Sequence, residues 1–313
     1  MRTPLFFSIV ITCVLSQGAV AFGQAWQWGK RGGSDGNFST GRNEFVQDMA
    51  VDRNGNIYVL TNSGSTSGID IAGQPKTGKG DQDVIIASFN CNGTLRWSKI
   101  IGTSYYADGP FALQTDKLDG VYIAVGSFRG PDKRPLYIDN DMTISDTFQK
   151  DLYFIKYDTA GHLKWVRDPQ PDTVTAGHQA ITIDMSVDSA GNVYALCQLP
   201  PGLYGGLGGF VATTAYSSIG HDYADCMLKY DRNGNFLGGF NWDAQGCYGA
   251  KMTRDAKTGK YYITAATGSS SLPIGSTLIP PSNGYVACFD KNGKYLWDLH
   301  SNAAGFVDRP LVD

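Results

Sequence analysis

Two short stretches of the sequence place oxygen-bearing side chains at alternate positions. These side chains are Asp52, Asn54 and Asn56 in the first stretch, and Asp231, Asn233 and Asn235 in the second. Alternating carboxylate and amide oxygens are typical of loops that bind a hard cation such as Ca²⁺. Both stretches lack the later acidic residues that complete a high-affinity calcium loop, and a metal-free hairpin turn explains the same residues. We therefore predict no cofactor, with bound calcium as the alternative to such a turn.

A glycine-rich segment near residue 200 carries aromatic residues that could stack on a sugar ring or a peptide. Tyr204 and Phe210 flank a run of glycines, and Tyr216 follows them. An aromatic ring with a polar tip suits a surface that is partly apolar and partly wet. We predict these three residues as binding residues for an unknown glycan or protein ligand. The alternative is that Leu203, Tyr204 and Phe210 pack under the segment or form an extra strand.

Residues suited to catalysis do not form a catalytic pattern in this sequence. The four histidines lack metal-ligand spacing, and segment 64–68 has Thr66 where the G-x-S-x-G nucleophile motif requires serine. Four aspartates are crowded into one segment: Asp139, Asp141, Asp146 and Asp151. Two such carboxylates could cleave a polysaccharide, whereas a solvated loop explains the same residues. No catalytic residue is predicted.

The elements that hold these residues are defined by an internal repeat with two alternating motifs. In the first motif, apolar residues surround a D-x-x-G turn, and successive turn glycines are 65–71 residues apart. Its copies lie at 49–60, 113–123, 185–196 and 252–263. The second motif has a similar turn, followed in three copies by tryptophan, at 89–97, 157–165, 230–236 and 289–297. Aspartate accepts backbone hydrogen bonds at the start of a turn and glycine adopts positive φ, so each motif predicts a β-hairpin.

Two hairpins per repeat predict a unit of four strands. In the first unit these strands are expected at about 47–52, 56–61, 83–89 and 94–101. Four-stranded sheets repeated along the chain, without helical periodicity, predict an all-β fold of the β-propeller type. The blades are expected at about 45–103, 104–172, 173–243 and 244–302. An insert of roughly 20 residues between the second and third strands accounts for the long period.

The N-terminus has the features of a signal peptide over residues 1–23. Arg2 precedes an apolar run from Leu5 to Leu15, and small residues follow at Ala19, Ala21 and Gly23. A membrane anchor is the alternative, but the run is shorter than the roughly 20 residues needed to span a bilayer. The propeller domain is then residues 24–313. We expect a secreted or cell-surface protein, with the periplasm as a further option.

Both ends of this domain resemble parts of a blade. Segment 26–33 resembles the fourth strand near 95–102, and segment 306–313 resembles the first strand near 45–52. We therefore expect an incomplete ring of about four full blades plus partial ones, truncated at the C-terminus. Because native proteins avoid open sheet edges, such a chain is expected to be a monomeric domain of a longer protein.

Composition excludes some partner classes. The 313 residues carry a net charge of −3 and 18% charged residues, so nothing favours a nucleic-acid partner. No segment after the signal peptide is long and apolar enough to predict a transmembrane helix. Five cysteines remain after its removal, which allows one or two disulfides or several buried thiols.

The repeat resembles the SBBP β-propeller repeat family. The resemblance is carried by segments 28–33, 52–58, 83–89 and 93–97, and it covers about residues 26–313. The third repeat departs from the pattern, because Gly238 stands where the others have tryptophan. This family is common in secreted and surface proteins of Bacteroidetes-type bacteria, so the resemblance implies a propeller fold and export. It implies no shared catalytic residues.

The sequence thus predicts a secreted or cell-surface module that binds or scaffolds without catalysis. The first alternative is a propeller enzyme acting on polysaccharide, a hydrolase or a lyase. A more distant alternative is a quinoprotein-like dehydrogenase, because segments 158–165 and 290–297 resemble the tryptophan-docking hairpins of that class. Polar residues gathered at one mouth of the channel would favour an enzyme, whereas small apolar residues filling it would favour a scaffold.

Overall fold

A computed structural model provides the structure of the chain. It describes residues 28–35, 44–65, 67–104, 108–128, 134–145, 150–169, 181–204, 209–213, 216–218, 221–242, 250–266, 272–275, 277–280 and 284–300. The predicted signal peptide, Trp26 and segment 306–313 lie outside these residues.

Four antiparallel sheets, here called blades 1 to 4, repeat one strand order along the chain. In each blade four strands pair in sequence order, and the strands of the insert come between the second and the third. Blade 1 consists of β2 (Val46–Val51), β3 (Ile57–Asn62), β6 (Val84–Phe89) and β7 (Leu95–Thr103). Blade 2 consists of β8 (Gly109–Thr115), β9 (Gly120–Phe128), β12 (Lys150–Asp158) and β13 (Leu163–Arg167). Blade 3 consists of β14 (Ile181–Val187), β15 (Val193–Leu199), β19 (His221–Tyr230) and β20 (Phe236–Asn241). Blade 4 consists of β21 (Lys251–Arg254), β22 (Tyr261–Ala266), β25 (Gly284–Phe289) and β26 (Tyr295–His300).

Each insert between the second and third strands contains a further hairpin. The insert hairpins are β4 (Ile69–Ile71) with β5 (Gln74–Lys76), β10 (Leu136–Ile138) with β11 (Met142–Ile144), β16 (Gly202–Tyr204) with β17 (Phe210–Ala212), and β23 (Leu272–Ile274) with β24 (Thr277–Ile279). The third insert also contributes β18 (Tyr216–Ser218), which pairs with β19. Two inserts reach the preceding fourth strand, because β10 pairs with β7, and β4 pairs with β1 (Gly32–Gly33).

The predicted turns form as their sequences indicate. In the first turn of blade 1 the Gly55 amide donates to the Asp52 carbonyl at 3.0 Å, and Gly55 has a φ of 75°. Glycine adopts this conformation at little cost because it has no Cβ. In an antiparallel four-stranded meander the first and third connections lie at one end of the sheet. The turns therefore lie at one end of each blade and the insert at the other.

Apolar faces of successive blades form the core. One cluster joins Tyr58 and Ile86 of blade 1 to Leu113 and Tyr157 of blade 2. Two further clusters join blade 2 to blade 3 and blade 3 to blade 4. The first strands lie side by side in the order β2, β8, β14, β21. The predicted all-β class and the repeated four-stranded sheets are confirmed.

Two other findings concern a possible membrane span and the cysteines. Within the described ranges there is no helix that could cross a bilayer. Cys197, Cys226 and Cys288 are buried thiols and Cys91 is an exposed one, while Cys247 lies outside the described residues.

Candidate functional site

At the turn end, a tryptophan of the fourth strand holds blade 1 to blade 2, and another holds blade 2 to blade 3. Each indole Nε1 donates to the carbonyl of the second residue in the second turn of the following blade. The pairs are Trp97 with Thr159 at 3.0 Å and Trp165 with Arg232 at 3.0 Å. Trp28 makes the same contact with Cys91 of blade 1 at 2.9 Å. Residues 28–33 thus repeat the contacts of a fourth strand.

The glycine that ends each of these turns makes room for the tryptophan ring. A Cβ on Gly161 would lie 2.8 Å from the Trp97 ring, and one on Gly234 would lie 2.9 Å from the Trp165 ring. Blade 3 has Gly238 in place of the tryptophan, and there the Phe240 ring packs on Gly293 instead. The turn glycine is needed both for its positive φ and for this close approach.

The first-turn aspartate that we considered as a calcium ligand accepts hydrogen bonds from its own turn. Asp52 Oδ1 accepts from the amides of Asn54 and Asn56, and Asp52 Oδ2 accepts from Asn56 Nδ2 and the Tyr58 hydroxyl. Burial alone would raise the pKa of Asp52, but these hydrogen bonds together hold it below its ordinary value.

The second calcium candidate has the same arrangement. Asp231 Oδ1 accepts from the amides of Asn233 and Asn235, and its Oδ2 accepts from Asn235 Nδ2 at 2.7 Å. In both turns the asparagine therefore presents its amide nitrogen, not its oxygen, to the carboxylate. Among the described residues no three histidine, cysteine, aspartate or glutamate side chains are grouped so that they could hold a metal ion.

Three blades share a further cluster in which a tyrosine hydroxyl donates to the first-turn aspartate and an arginine lies alongside. The clusters are Asp52, Tyr58 and Arg96; Asp116, Tyr122 and Arg232; and Asp188, Tyr194 and Arg254. Burial, with the neighbouring aspartate, raises the pKa of Tyr58 to about 12 and that of Tyr122 further. These phenols therefore stay protonated and donate. Tyr58 and Tyr122 are also buried, which keeps a substrate away from them.

The polar residues of the first strands, which could line a channel, link neighbouring strands. Asp48 Oδ2 accepts from the Leu113 amide at 3.0 Å, and Asp184 Oδ2 accepts from the Met252 amide at 2.7 Å. Thr115 Oγ1 donates to a carbonyl of β2 in the same way. The two described strands that carry these aspartates, β2 and β14, thus use them to hold the next blade.

The crowded aspartates of the second insert also have a structural partner. Lys99 Nζ of blade 1 lies 2.8 Å from Asp141 and 3.6 Å from Asp139. Asp146 and the side chain of Asp151 lie outside what the structure describes. The two visible carboxylates therefore tie the second insert to blade 1.

The predicted binding aromatics of the third insert are placed mostly inward. Tyr204 is buried, its hydroxyl donates to the Pro200 carbonyl at 2.8 Å, and its ring stacks on Phe210 at 5.7 Å. Both residues belong to the extra hairpin β16–β17, which matches the packed alternative. Tyr216 lies in β18, and its side chain is outside the described part. A binding role for these residues stays a prediction.

Three insert hairpins instead expose a large apolar side chain that the sequence analysis did not select. These side chains are Met142 of β11, Val211 of β17 and Leu278 of β24, which are 42%, 55% and 63% exposed. Strand alternation could have found them, because Val211 follows the inward-facing Phe210 and side chains alternate between the faces of a strand. Each of these three inserts thus exposes one large apolar side chain at the end opposite the turns.

Comparison with known proteins identified no family, because neither the family models nor the curated proteins searched gave a match to this chain. The resemblance to the SBBP repeat therefore stays a prediction.

Proposed function

We propose that this chain is an exported β-propeller that binds a glycan or a protein through its insert end, without catalysis. The blades are arranged around a central axis, and their first strands, β2, β8, β14 and β21, are the innermost strands. The signal-peptide features of residues 1–23 support export to the cell surface or the medium. The observation that carries the binding role is the exposed apolar side chain on each of three insert hairpins.

Two further observations support this proposal. The insert hairpins follow the same connection in every blade, so they lie at one end, and Lys79 of the first insert lies 5.5 Å from the Tyr137 ring of the second. At the turn end and along the first strands, the described aspartates, tyrosines and tryptophans that could do chemistry are bonded within their own turn or to a neighbouring blade. Loops on a rigid repeated frame commonly carry binding.

Binding is tested with the mature protein and a panel of insoluble polysaccharides: cellulose, chitin, xylan and peptidoglycan. We expect depletion of the protein from solution by at least one of them, with no new reducing ends or unsaturated sugars released. Met142, Val211 and Leu278 are then replaced together by serine. This variant should lose most of its retention while keeping the unfolding midpoint of the unmodified protein.

Leu237→Ser is the matched control, because Leu237 is an exposed leucine on β20 rather than on an insert. It should bind like the unmodified protein. Equal loss of binding in both variants would show that the insert end is not the binding surface. Release of sugar products would instead favour the alternative function, an enzyme that acts on polysaccharide.

A further inference from the structure

Two buried cysteines of blade 3 lie directly opposite each other on paired strands. Cys197 of β15 is the register partner of Cys226 of β19. Directly opposite residues point to the same face of a sheet, and both side chains belong to the core cluster between blades 2 and 3. Of the other described cysteines, Cys91 lies in a turn and Cys288 faces Tyr262. Cys197 and Cys226 are thus the described thiols that can meet across a strand pair.

The backbone spacing of this pair suits a disulfide bond. The Trp242 amide donates to the Asp225 carbonyl at 2.9 Å, so the backbone of Asp225 bonds on the β20 side of its strand. Backbone groups of successive residues alternate between the two sides of a strand, so Cys226 bonds towards β15 and forms a hydrogen-bonded pair with Cys197. In such a pair the Cα atoms are about 5.5 Å apart, and disulfides most often join Cα atoms about 5.5–6 Å apart.

In the structure both residues are thiols, and each side chain is turned along its own strand. Cys197 Sγ donates to the Ala195 carbonyl at 3.5 Å, and Cys226 Sγ donates to the Ala224 carbonyl at 3.3 Å. Because the strands are antiparallel, the two sulfur atoms are turned in opposite directions. A bond between them requires rotation of each side chain about its Cα–Cβ bond, but no change of strand register.

A disulfide at this position is a strained one. The Cβ atoms of opposite residues in a sheet are about 4.5–5.5 Å apart, whereas a disulfide needs about 3.5–4.5 Å. The two strands must therefore approach each other locally by about 1 Å. Strain of this kind makes a disulfide easier to reduce than an ordinary structural one. The pair has the features of a reversible link.

Burial determines when the two sulfur atoms can react. Both residues are completely buried, and this burial raises the pKa of each thiol well above its ordinary value. The thiolate is the nucleophile in thiol–disulfide exchange, so the folded pair reacts slowly. The bond is therefore made while β15 and β19 are pairing, or when blade 3 opens.

We propose that Cys197 and Cys226 form a redox-labile disulfide that links the second and third strands of blade 3. The oxidant is an external disulfide of the glutathione class. One cysteine thiolate attacks it, which forms a mixed disulfide and releases one external thiol; the other cysteine thiolate then attacks the protein sulfur and releases the second. Two protein thiols become one S–S bond, and their two protons end on the two external thiols. The inference depends on strand register and is independent of the proposed ligand.

Refolding in glutathione buffers tests this link in the mature protein. The reduced, unfolded chain is refolded in a series of buffers from reducing to oxidising, and the remaining thiols are alkylated with iodoacetamide after denaturation. Mass spectrometry of the unreduced peptides should find the 197–226 link in most chains at the oxidising end. Cys288 is the matched control, because it is also buried but faces Tyr262, and it should be alkylated throughout.

The link should be half reduced within the glutathione series, where an ordinary structural disulfide stays oxidised. Alkylation of both Cys197 and Cys226 at every ratio would overturn the proposal, and so would a link from either residue to Cys91 or Cys247. A 197–226 link that stays oxidised throughout the series would show a permanent disulfide and would overturn its redox-labile character.

A stability measurement gives a second readout that does not depend on peptide analysis. A disulfide restricts the unfolded chain, so the urea midpoint of the unmodified protein should be higher in the oxidising buffer than in the reducing one. Cys197→Ala should give the same midpoint in both buffers, whereas Cys288→Ala should keep the difference. Equal midpoints for the unmodified protein in the two buffers would show that the two sulfur atoms do not join.

Discussion

Replacing Trp165 with alanine should weaken the contact between blades 2 and 3. The ring is almost completely buried, its centroid lies 6.0 Å from that of Tyr122, and its Nε1 donates to Arg232. Truncating a buried tryptophan to alanine costs about 3–5 kcal/mol. The Arg232 carbonyl keeps a second donor, Lys156 Nζ at 3.1 Å, so no buried acceptor is left unpaired. We expect the free energy of unfolding to fall by about 3–4 kcal/mol.

Trp297→Ala is the matched control for this prediction. The residue occupies the same position in its own blade but is 41% exposed, so its loss should cost about 1 kcal/mol or less. Urea unfolding of the mature protein, followed by circular dichroism, measures both costs. Equal losses in the two variants would refute the role of the tryptophan as a fastener between blades.

Two further variants separate the hydrogen bond of the Trp165 contact from its steric fit. Trp165→Phe keeps an aromatic ring and removes the donor, so it should cost about 1 kcal/mol for the hydrogen bond, plus the smaller buried area. Gly234→Ala places a Cβ 2.9 Å from the Trp165 ring at a φ of 79°, and should cost about 1–2 kcal/mol or more. In the Trp165→Ala background the clash with the tryptophan ring disappears, while the contact with Arg167 stays, so the double variant should be more stable than the sum of the two single variants predicts. Strict additivity would contradict this contact.

Three further predictions concern the buried acids and the inserts. Burial raises the pKa of Asp83 to about 6 from an ordinary 3.8, so the contribution of Asp83 to the free energy of unfolding should be largest below pH 3.8 and should fall by about 3 kcal/mol as the pH rises to 6. Compared with the unmodified protein, Asp83→Asn should lack this part of the pH dependence in urea unfolding. Asp184→Ala should cost about 2–4 kcal/mol, because two amides lose a charged acceptor, and hydrogen exchange should accelerate at Met252. Leu278→Ser should change the free energy of unfolding by about 0.5 kcal/mol or less, since the side chain is exposed.

The sequence was sufficient to predict the four strands of blade 1. The predicted strands at 47–52 and 83–89 are observed as β2 and β6, within a residue of their bounds. The reason is local: Asp52 and Gly55 satisfy the turn by themselves, and flanking apolar residues alternate or run as a buried strand requires. Turn chemistry of this kind needs no information from the rest of the chain.

The inserts could not be predicted in the same way, because their structure depends on neighbouring blades. β10 is fixed by pairing with β7, and this partner is more than thirty residues away in the sequence. The sequence around Tyr204 is compatible both with a ring on the surface and with a packed ring. The Pro200 carbonyl and the Phe210 ring, which settle its placement, become its neighbours only once β16 and β17 pair.

The contacts between blades depend more on where a side chain lies than on which residue type supplies it. Phe240 replaces the missing tryptophan of blade 3 from two positions further along the strand, and its ring reaches the same turn glycine. The arginine beside each first-turn tyrosine comes from a fourth strand, a second turn or a first strand. Several residue types can make the same contact between blades. A repeat that is identified by residue type alone therefore shows less regularity than the contacts between the blades have.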